Sequence, residues 1–579
     1  MKVIRLVLLM AVALILLAGI WLRSNRTPRV DMTAYVPADS LIYIEANSLP
    51  KVADSILATD AWRALAPPAG INSSFSQLGW MSKLAAWTGI GSAETVVLSR
   101  AQIAVTVLAL DTVEEGDNLT LKPRFALVAE THTSEARTRA TIEKRLTEFA
   151  RRAYNAAPQI ERKEVDGAQF TTWSAPTGGR RIIAATAGSI AIVANDEEAV
   201  KACLAVRRGE RASLASNARL EAMRVSVSGG DDDALAFGYV SPTGAARILE
   251  AAATIYAGQF STDPRALSFA ASILPRLSSK FLGDVGWSTH LRSGSIEDRY
   301  YLALPNDIAA RLREPLTPST NVNAQTIGDF LPPTTYSFSH YDYRDPEAAW
   351  RGLNAIVSSQ LDMAGAFFLT SLLEASLKPY GIEDPKSFLR AIGPQIITAR
   401  LNDGGASTVT IVQVRDEKAL RAFVAKRLGR DARIERIGDA EMLVAHDAER
   451  GAASFVTDRL IMGLSANVRR CLEARAHGPT LADAQFFQRA RDLTASNSDL
   501  TPRVVTYTND ETFARTFILN IASQDALRAR PLNSQALGRA LNELTYSVSE
   551  TQLMDEGFMK TTRSSFGQIG EIFNRLASQ

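Results

Sequence analysis

SIAIVANDEEAVKACLAVRRGERASLASNARL, residues 189–220, has a second version later in the chain. Residues 459–487 read RLIMGLSANVRRCLEARAHGPTLADAQFF, so that Cys203 corresponds to Cys471 and Leu214 to Leu481. Each version is typical of a strand followed by a helix, and similar element orders flank both. Self-similarity on this scale indicates a tandem duplication. We therefore expect two copies of one structural unit.

The length and composition agree with two globular units. A chain of 579 residues is too long for one hydrophobic core, which stops growing at about 250–300 residues. Hydrophobic residues make up 46% of the chain and charged residues 22%, as in ordinary globular proteins. We predict copy 1 at residues 37–305, a linker at 306–330 that is rich in Pro, Asn and Thr, and copy 2 at 331–579.

The strand pattern predicts the fold class. Apolar alternation predicts strands at 94–110, 124–131, 160–173 and 181–194, with a helix at 134–154 between the second and third. Strands joined as hairpins and interleaved with helices favour antiparallel sheets over a doubly wound parallel sheet. The predicted class is α+β, with two tandem copies of an antiparallel-sheet-plus-helices domain. In the closing strands we match Trp287 with Tyr546.

The amino terminus adds a membrane prediction. Residues 6–22 read LVLLMAVALILLAGIWL, and 17 helical residues span about 26 Å, close to the hydrocarbon core of a bilayer. We predict a transmembrane signal anchor at 1–22 and a polar tether at 23–36; a cleaved signal peptide is the alternative. The anchor would place a single-pass protein in the inner (cell) membrane, with the bulk of the chain extracytoplasmic, in the periplasm.

Several short motifs carry a family resemblance. They are Pro37-Ala38-Asp39 leading into a strand at Tyr43, the segment DAWRAL at 60–65, and Ser213-Leu214-Ala215 after a helix. Together with the apolar amino terminus, they resemble uncharacterised bacterial membrane-anchored envelope proteins grouped under a domain-of-unknown-function label. The resemblance implies an extracytoplasmic protein without an assigned activity, and it supplies no functional residues. Copy 2 departs from the first motif, because Pro333-Thr334 stands where copy 1 has Ala38-Asp39.

Residue types that carry chemistry are dispersed along the chain. The five histidines, His132, His290, His340, His446 and His477, are too far apart in sequence for a metal-binding motif. No nucleophile elbow is present, and Gly178-Gly179 precedes a strand rather than the helix that a phosphate loop requires. The sequence therefore predicts no catalytic, cofactor-binding or metal-binding residue. His340 with Asp342 is the one pair we would test for catalysis.

These observations predict a non-enzymatic envelope protein. We expect a membrane-tethered, two-lobed binding or scaffold protein that holds a partner protein or an apolar ligand between its copies, without a cofactor. The alternative is an extracytoplasmic hydrolase whose site is assembled from distant residues. Nucleic acid is excluded as a partner because the formal charge is only +2 and no basic block is present. Cys203 and Cys471 are either one buried position inherited twice or a bridge between the copies.

Overall fold

The computed structural model describes most of the chain. The described residues are 29–71, 101–115, 118–165, 167–228, 233–260, 281–319, 328–359, 384–403, 407–495, 504–523 and 530–577, with the single residues Glu374, Leu377 and Ile382. Every structural statement below refers to these residues. Within them the chain is α+β, as predicted, with one large antiparallel sheet and helices on both of its faces.

Copy 1 contains the first half of this sheet. Its strands are β1 Ile42–Ala46, β2 Gln102–Glu115, β3 Asn118–Glu130, β4 Gln159–Val165, β5 Ala168–Ser174, β6 Arg181–Ala187, β7 Ile190–Ala194, β8 Ala236–Val240, β9 Val285–Arg292 and β10 Ser295–Ala303. Its helices are α1 Leu49–Leu57, α2 Asp60–Leu65, α3 Glu135–Tyr154, α4 Glu197–Arg207, α5 Ala218–Ser228 and α6 Pro242–Phe260, followed by α7 Asn306–Arg313.

Copy 2 contains the second half. Its strands are β11 Ser337–Asp342, β12 Ile392–Arg400, β13 Thr408–Val414, β14 Arg433–Ile437, β15 Ala440–Val444, β16 Ala452–Val456, β17 Arg459–Gly463, β18 Val504–Thr508, β19 Ser547–Met554 and β20 Gly557–Ser564. Its helices are α8 Pro346–Ser359, α9 Pro385–Ala391, α10 Glu417–Leu428, α11 Ser465–His477, α12 Gln485–Ala495, α13 Glu511–Ala522, α14 Ser534–Asn542 and α15 Gly567–Ala577.

Strand pairing follows the same order in both copies. Copy 1 pairs as β4-β5-β6-β7-β3-β2-β1-β8-β9-β10. Copy 2 pairs as β14-β15-β16-β17-β13-β12-β11-β18-β19-β20. Every one of these pairs is antiparallel. Matched strands and registers therefore allow residues of the two copies to be compared position by position.

The two copies join edge to edge through β10 and β20. These strands pair antiparallel from Ile296 opposite Ser564 to Ala303 opposite Gly557, which makes one sheet of 20 strands. Across the junction the Nε of Arg563 lies 2.9 Å from Glu297, and both side chains are almost completely buried. The pairing satisfies backbone groups that two separate domains would leave exposed on edge strands. Within the described residues the two copies therefore share one continuous sheet.

Each copy has a hydrophobic core of its own, and a further core contains residues of both copies. Phe170, Ile192 and Cys203 belong to a core of copy 1, and their counterparts around Ile461 and Cys471 form a core of copy 2. A further core combines Trp62 and Leu65 of α2 with Phe517 of α13 and residues of α14 and α15. This shared core makes the junction a continuous interior.

Backbone contacts accompany the shared core. Arg530 N–H donates to Gly70 O at 3.1 Å, and Asn533 N–H donates to Pro68 O at 2.9 Å. Gly70 has a φ of +81°, and a Cβ there would lie 2.1 Å from the carbonyl oxygen of Arg530. A glycine is therefore required at this close approach between the copies.

The membrane part of the predicted fold class is corrected. Among the described residues, no helix is long and apolar enough to span a bilayer. The predicted anchor at residues 1–22 lies outside the described residues. The fold class that the described residues support is thus α+β with one large antiparallel sheet, and they give no support to the transmembrane helix of the prediction.

Three smaller expectations also differ from the structure. Residues 306–313 of the predicted linker form α7, because Ile308 and Leu312 bury one helical face. In the predicted tether, residues 32–35 form a 3₁₀ turn with Met32 in the core of copy 1. The registers place Gly286 opposite Tyr239 and Val548 opposite Tyr507, so that Ser549, and not Tyr546, matches Trp287.

Candidate functional site

His340 and Asp342 lie on one face of β11. Side chains alternate along a strand, so these two residues share the face of Phe338, which belongs to the core of copy 2. His340 is 3% exposed and Asp342 is 2% exposed. The pair that the sequence singled out is therefore buried at the end of a hydrophobic face.

Polar side chains continue from this pair across the neighbouring strands. Gln395 on β12 lies opposite Asp342, and Gln413 on β13 lies opposite Arg459 on β17. The Nη2 of Arg459 donates to the side-chain oxygen of Gln395 at 2.5 Å. We call these four residues, together with His340, the copy 2 row. It crosses four adjacent strands on one face of the sheet.

Burial shifts the protonation of the row. Burial, reinforced by the positive charge of Arg459, lowers the pKa of His340 to about 4, so that the imidazole is neutral at pH 7. Burial raises the pKa of Asp342 to about 6, and the nearby backbone N–H of Ser319 offsets part of that rise. Burial also lowers the pKa of Arg459, with the charge of Asp458 acting in the opposite direction.

Several polar atoms of the copy 2 row lack partners. The Nε2 of His340, both carboxylate oxygens of Asp342 and the Nη1 of Arg459 make no hydrogen bond of ordinary geometry within the described structure. Arg459 is 7% exposed as a whole residue, and its Nε lies 3.5 Å from Asp458 at the rim. An unpaired buried polar group costs about 1–3 kcal/mol, and more when it is charged. The row thus contains buried polar atoms that make no hydrogen bond to the described residues around them.

At the matched positions in copy 1, the polar side chains have hydrogen-bond partners. The strand registers match Asp342 with Asn47, Gln395 with Gln102, Gln413 with Glu130 and Arg459 with Ile190, while His340 matches Glu45. These five residues form the copy 1 row.

Its central residue, Gln102, binds a peptide group. The amide of Gln102 accepts from Val30 N–H at 2.9 Å and donates to Val30 O at 2.9 Å and to Asn47 at 3.2 Å. Glu45 accepts from the Tyr43 hydroxyl at 2.7 Å and lies 3.1 Å from Arg224. In copy 1 the uncharged peptide group of Val30 therefore occupies the hydrogen-bonding atoms of Gln102.

The geometry gives no support to hydrolysis at His340. No serine, threonine or cysteine of the described residues hydrogen-bonds to its ring. General-base catalysis needs a base within hydrogen-bond reach of a nucleophile or of water at the reacting bond. The described contacts of His340 and Asp342 thus identify no nucleophile.

A separate cavity lies in copy 2, beside the turn at Pro333 and Thr334. Its volume is about 370 Å³, within the range of roughly 300–1,000 Å³ that is usual for small-molecule sites. The rings of Phe486 and Tyr546 meet with centroids 5.5 Å apart, and the Tyr546 hydroxyl donates to Thr335 O. The lining combines apolar and polar side chains: Pro333, Thr334, Phe486, Asn509, Glu511, Leu541, Asn542, Leu544 and Tyr546.

The charge of this cavity is balanced. Glu511 is the one acidic or basic residue of the lining, and its carboxylate lies 2.8 Å from Arg515. Asn509 uses its side-chain oxygen to accept from the Glu511 backbone N–H at 2.8 Å. The cavity therefore offers aromatic and aliphatic surface with a polar, electrically neutral rim.

Copy 1 has different residue types at the matched positions. The registers and the repeat match Phe486 with Arg219, Tyr546 with Asp284, Thr334 with Asp39 and Glu511 with Thr243. Asp284 accepts a hydrogen bond from Tyr239, and Asp39 pairs with Arg211 at 2.6 Å. The aromatic pair is thus specific to copy 2.

The two cysteines do not pair. Cys203 and Cys471 are free thiols in separate cores, and burial raises the pKa of each to about 12. The structure therefore agrees with one buried position inherited twice, and not with a bridge between the copies. Thiolate chemistry at either position is suppressed in the folded state.

Comparison with other proteins supplies no further assignment. No protein-family model, curated protein or solved structure matches the chain. Within the described residues, no group of three His, Cys, Asp or Glu side chains is arranged to hold a metal ion. The candidate sites therefore rest on their own geometry.

Sequence reasoning identified His340 and Asp342 but missed Arg459, Gln395 and the aromatic cavity. The signal was present in the repeat. Arg459 opens the second version of the stretch where copy 1 has Ile190, and Phe486 stands near its end where copy 1 has Arg219. Positions at which two copies of one unit differ in charge or aromaticity are where their functions are expected to differ.

Proposed function

We propose that this chain is a non-catalytic binding protein whose copy 2 cavity takes a small amphipathic molecule, or an amphipathic side chain of a partner protein. The observation that carries the proposal is the cavity of about 370 Å³ with Phe486 and Tyr546 in its wall. Pockets with apolar walls and a few polar groups are the usual form of ligand sites.

The lining specifies the chemistry of the occupant. The faces of Phe486 and Tyr546, with Leu541 and Leu544, suit a flat apolar group, because aromatic pairs gain from offset or edge-to-face contact. The amide of Asn542 and the hydroxyl of Thr334 suit a hydrogen-bonding edge. Since Glu511 is already paired with Arg515, the occupant is neutral rather than cationic.

The cavity does not lie where the sequence predicted a ligand. The sequence predicted a site between the copies, whereas the cavity that supports this proposal is lined by residues of copy 2. The shared core supports the proposal in another way, because a rigid scaffold keeps a binding site preorganised. The envelope location and the family resemblance stay predictions from the sequence.

Saturation-transfer NMR with the full chain tests the proposal. The probes are indole and p-cresol as free molecules, and N-acetyltryptophanamide as a partner's side chain. We expect Phe486→Ala to weaken binding at least tenfold, because it removes half of the aromatic wall. The matched variant Arg219→Ala in copy 1 should leave binding unchanged.

Each outcome has a defined meaning. Binding of N-acetyltryptophanamide but not of indole assigns the cavity to a partner's side chain, and the reverse assigns it to a free ligand. The proposal fails if none of the three probes binds, or if the Phe486→Ala and Arg219→Ala variants bind them as the unmodified chain does.

A further inference from the structure

The copy 2 row contains two buried opposite charges that do not neutralise each other. Arg459 contacts Gln395 and the rim residue Asp458, and no ion pair joins it to Asp342 within the described structure. The strands β12 and β13 separate β11 from β17, so that three strand spacings, about 14 Å, lie between the two backbones. The arginine extends across part of this distance to reach Gln395.

Copy 1 shows an occupant of this position when the two ends of the row, Asn47 and Ile190, are uncharged, although Glu45 and Glu130 in the same row are acidic. Gln102 binds both the N–H and the C=O of Val30, so a peptide group fills the space. In copy 2 the glutamine is retained as Gln395, whereas Asn47 is replaced by Asp342 and Ile190 by Arg459. These two differences put a charge of opposite sign at each end of the copy 2 row, whereas the acidic Glu45 and Glu130 of copy 1 correspond to His340 and Gln413 in copy 2.

These charges determine the complementary ligand. Arg459 has an unused donor at Nη1, and Asp342 has two unused acceptors. A neutral peptide group would leave Asp342 without a counter-ion and the Nη1 of Arg459 without an acceptor, because Asp458 contacts only the Nε side of Arg459. A carboxylate at Arg459 and an ammonium at Asp342 would form two charge-assisted hydrogen bonds. The neutral ring of His340 adds a further group that lacks a partner.

We propose that the copy 2 row, His340, Asp342, Gln395, Gln413 and Arg459, binds a short zwitterion of the amino-acid class. Its carboxylate lies against Arg459 and its ammonium against Asp342. This site is separate from the aromatic cavity, because the two have no lining residue in common. The proposal therefore stands or falls independently of the proposed function.

Calorimetric titration of the full chain tests it. Glycine, β-alanine and 4-aminobutanoate form a series in which the distance between the charges increases, and acetate and methylammonium serve as ligands with one charge each. We expect at least one zwitterion to bind at least tenfold more tightly than either single-charge ligand. Asp342→Asn and Arg459→Met should each weaken that binding at least tenfold, whereas Glu511→Gln at the aromatic cavity should not.

The variants also separate binding from folding. Asp342→Asn preserves the shape of the side chain, so it decides the question even if Arg459→Met fails to fold. Absence of heat with all three zwitterions overturns the proposal, as does undiminished binding by Asp342→Asn. A crystal structure grown with 4-aminobutanoate that shows only water, or only residues of this chain, between Asp342 and Arg459 overturns it as well.

Discussion

The two rows occupy the same place in two copies of one fold, and they differ in how their polar groups are satisfied. Gln102 in copy 1 has backbone and side-chain partners, whereas Asp342, His340 and Arg459 in copy 2 have unused hydrogen-bonding atoms. The hydrophobic residues below both rows are alike, and so is the strand order. Duplication thus preserved the framework while the ends of the strands changed their chemistry.

The largest expected effect comes from removing the shared glutamine. Gln102→Met leaves Val30 N–H, Val30 O and Asn47 without their partner, and we expect a loss of about 4 kcal/mol in the free energy of unfolding. Gln395→Met removes one described hydrogen bond, from Arg459, and should cost about 2 kcal/mol. Urea denaturation followed by circular dichroism measures both.

The ordering of these two losses is the critical result. If Gln395→Met costs as much as Gln102→Met, the two rows are equally saturated and the contrast between them is wrong. The variant Gln488→Met, at a glutamine on the surface of α12, serves as the control and should change stability by less than about 0.5 kcal/mol.

A reciprocal exchange between the rows should change the pH dependence of stability. The pKa of Asp342 is raised to about 6, so its ionisation destabilises the fold above that pH, while below the unfolded value, about 3.9, the penalty is absent. Asp342→Asn should therefore stabilise the protein by up to about 3 kcal/mol at pH 8, with the gain fading between pH 6 and pH 4.

The matched change in copy 1 should act in the opposite direction. Asn47→Asp introduces a carboxylate beside Gln102 and should destabilise the protein at pH 8 more than at pH 4. His340 masks part of the effect in the unmodified chain: its lowered pKa, about 4, makes protonation unfavourable to the fold as the pH falls from about 6.5 to 4. Denaturation midpoints at pH 4, 6 and 8 measure the exchange, and a pH-independent Asp342→Asn difference contradicts the raised pKa.

The smallest effect is expected where the copies agree. Cys203 and Cys471 are both fully buried in matched helices. Cys203→Ala and Cys471→Ala should therefore each lower the free energy of unfolding by about 1 kcal/mol, and the two losses should be similar. Neither thiol should react with Ellman's reagent until the protein unfolds, because each pKa is raised to about 12. Rapid reaction of one thiol in the folded chain would show that its copy opens locally.

The sequence predicted the α+β class and the antiparallel pairing well, because both depend on local periodicity. The strands predicted at 160–173 and 181–194 fall on β4 to β7, and the helix at 134–154 falls on α3. The joining of β10 to β20 could not be predicted in the same way. It depends on two edge strands more than 250 residues apart in sequence meeting in the right register, and no local pattern encodes that.

The sites were predicted only in part, for a related reason. His340 and Asp342 are two residues apart, and their alternation on a strand was visible in the sequence. Arg459 joins them only because β17 pairs with β13, and Gln395 only because β12 pairs with β11. A site assembled from four strands becomes visible once the pairing is known, although the Ile190 to Arg459 difference between the copies already marked one of its members.

The pairing of β10 with β20 also has a meaning for ancestry. Arg299 lies opposite Thr561, and matched residues are arranged symmetrically on either side of that pair, as they would be in a two-fold homodimer. We infer that the unduplicated ancestor was a chain with one copy that dimerised by pairing its last strand with that of an identical partner. Gene fusion would then have freed the two halves from the identity that a homodimer imposes, so that one half could have Asp342 and Arg459 where the other has Asn47 and Ile190.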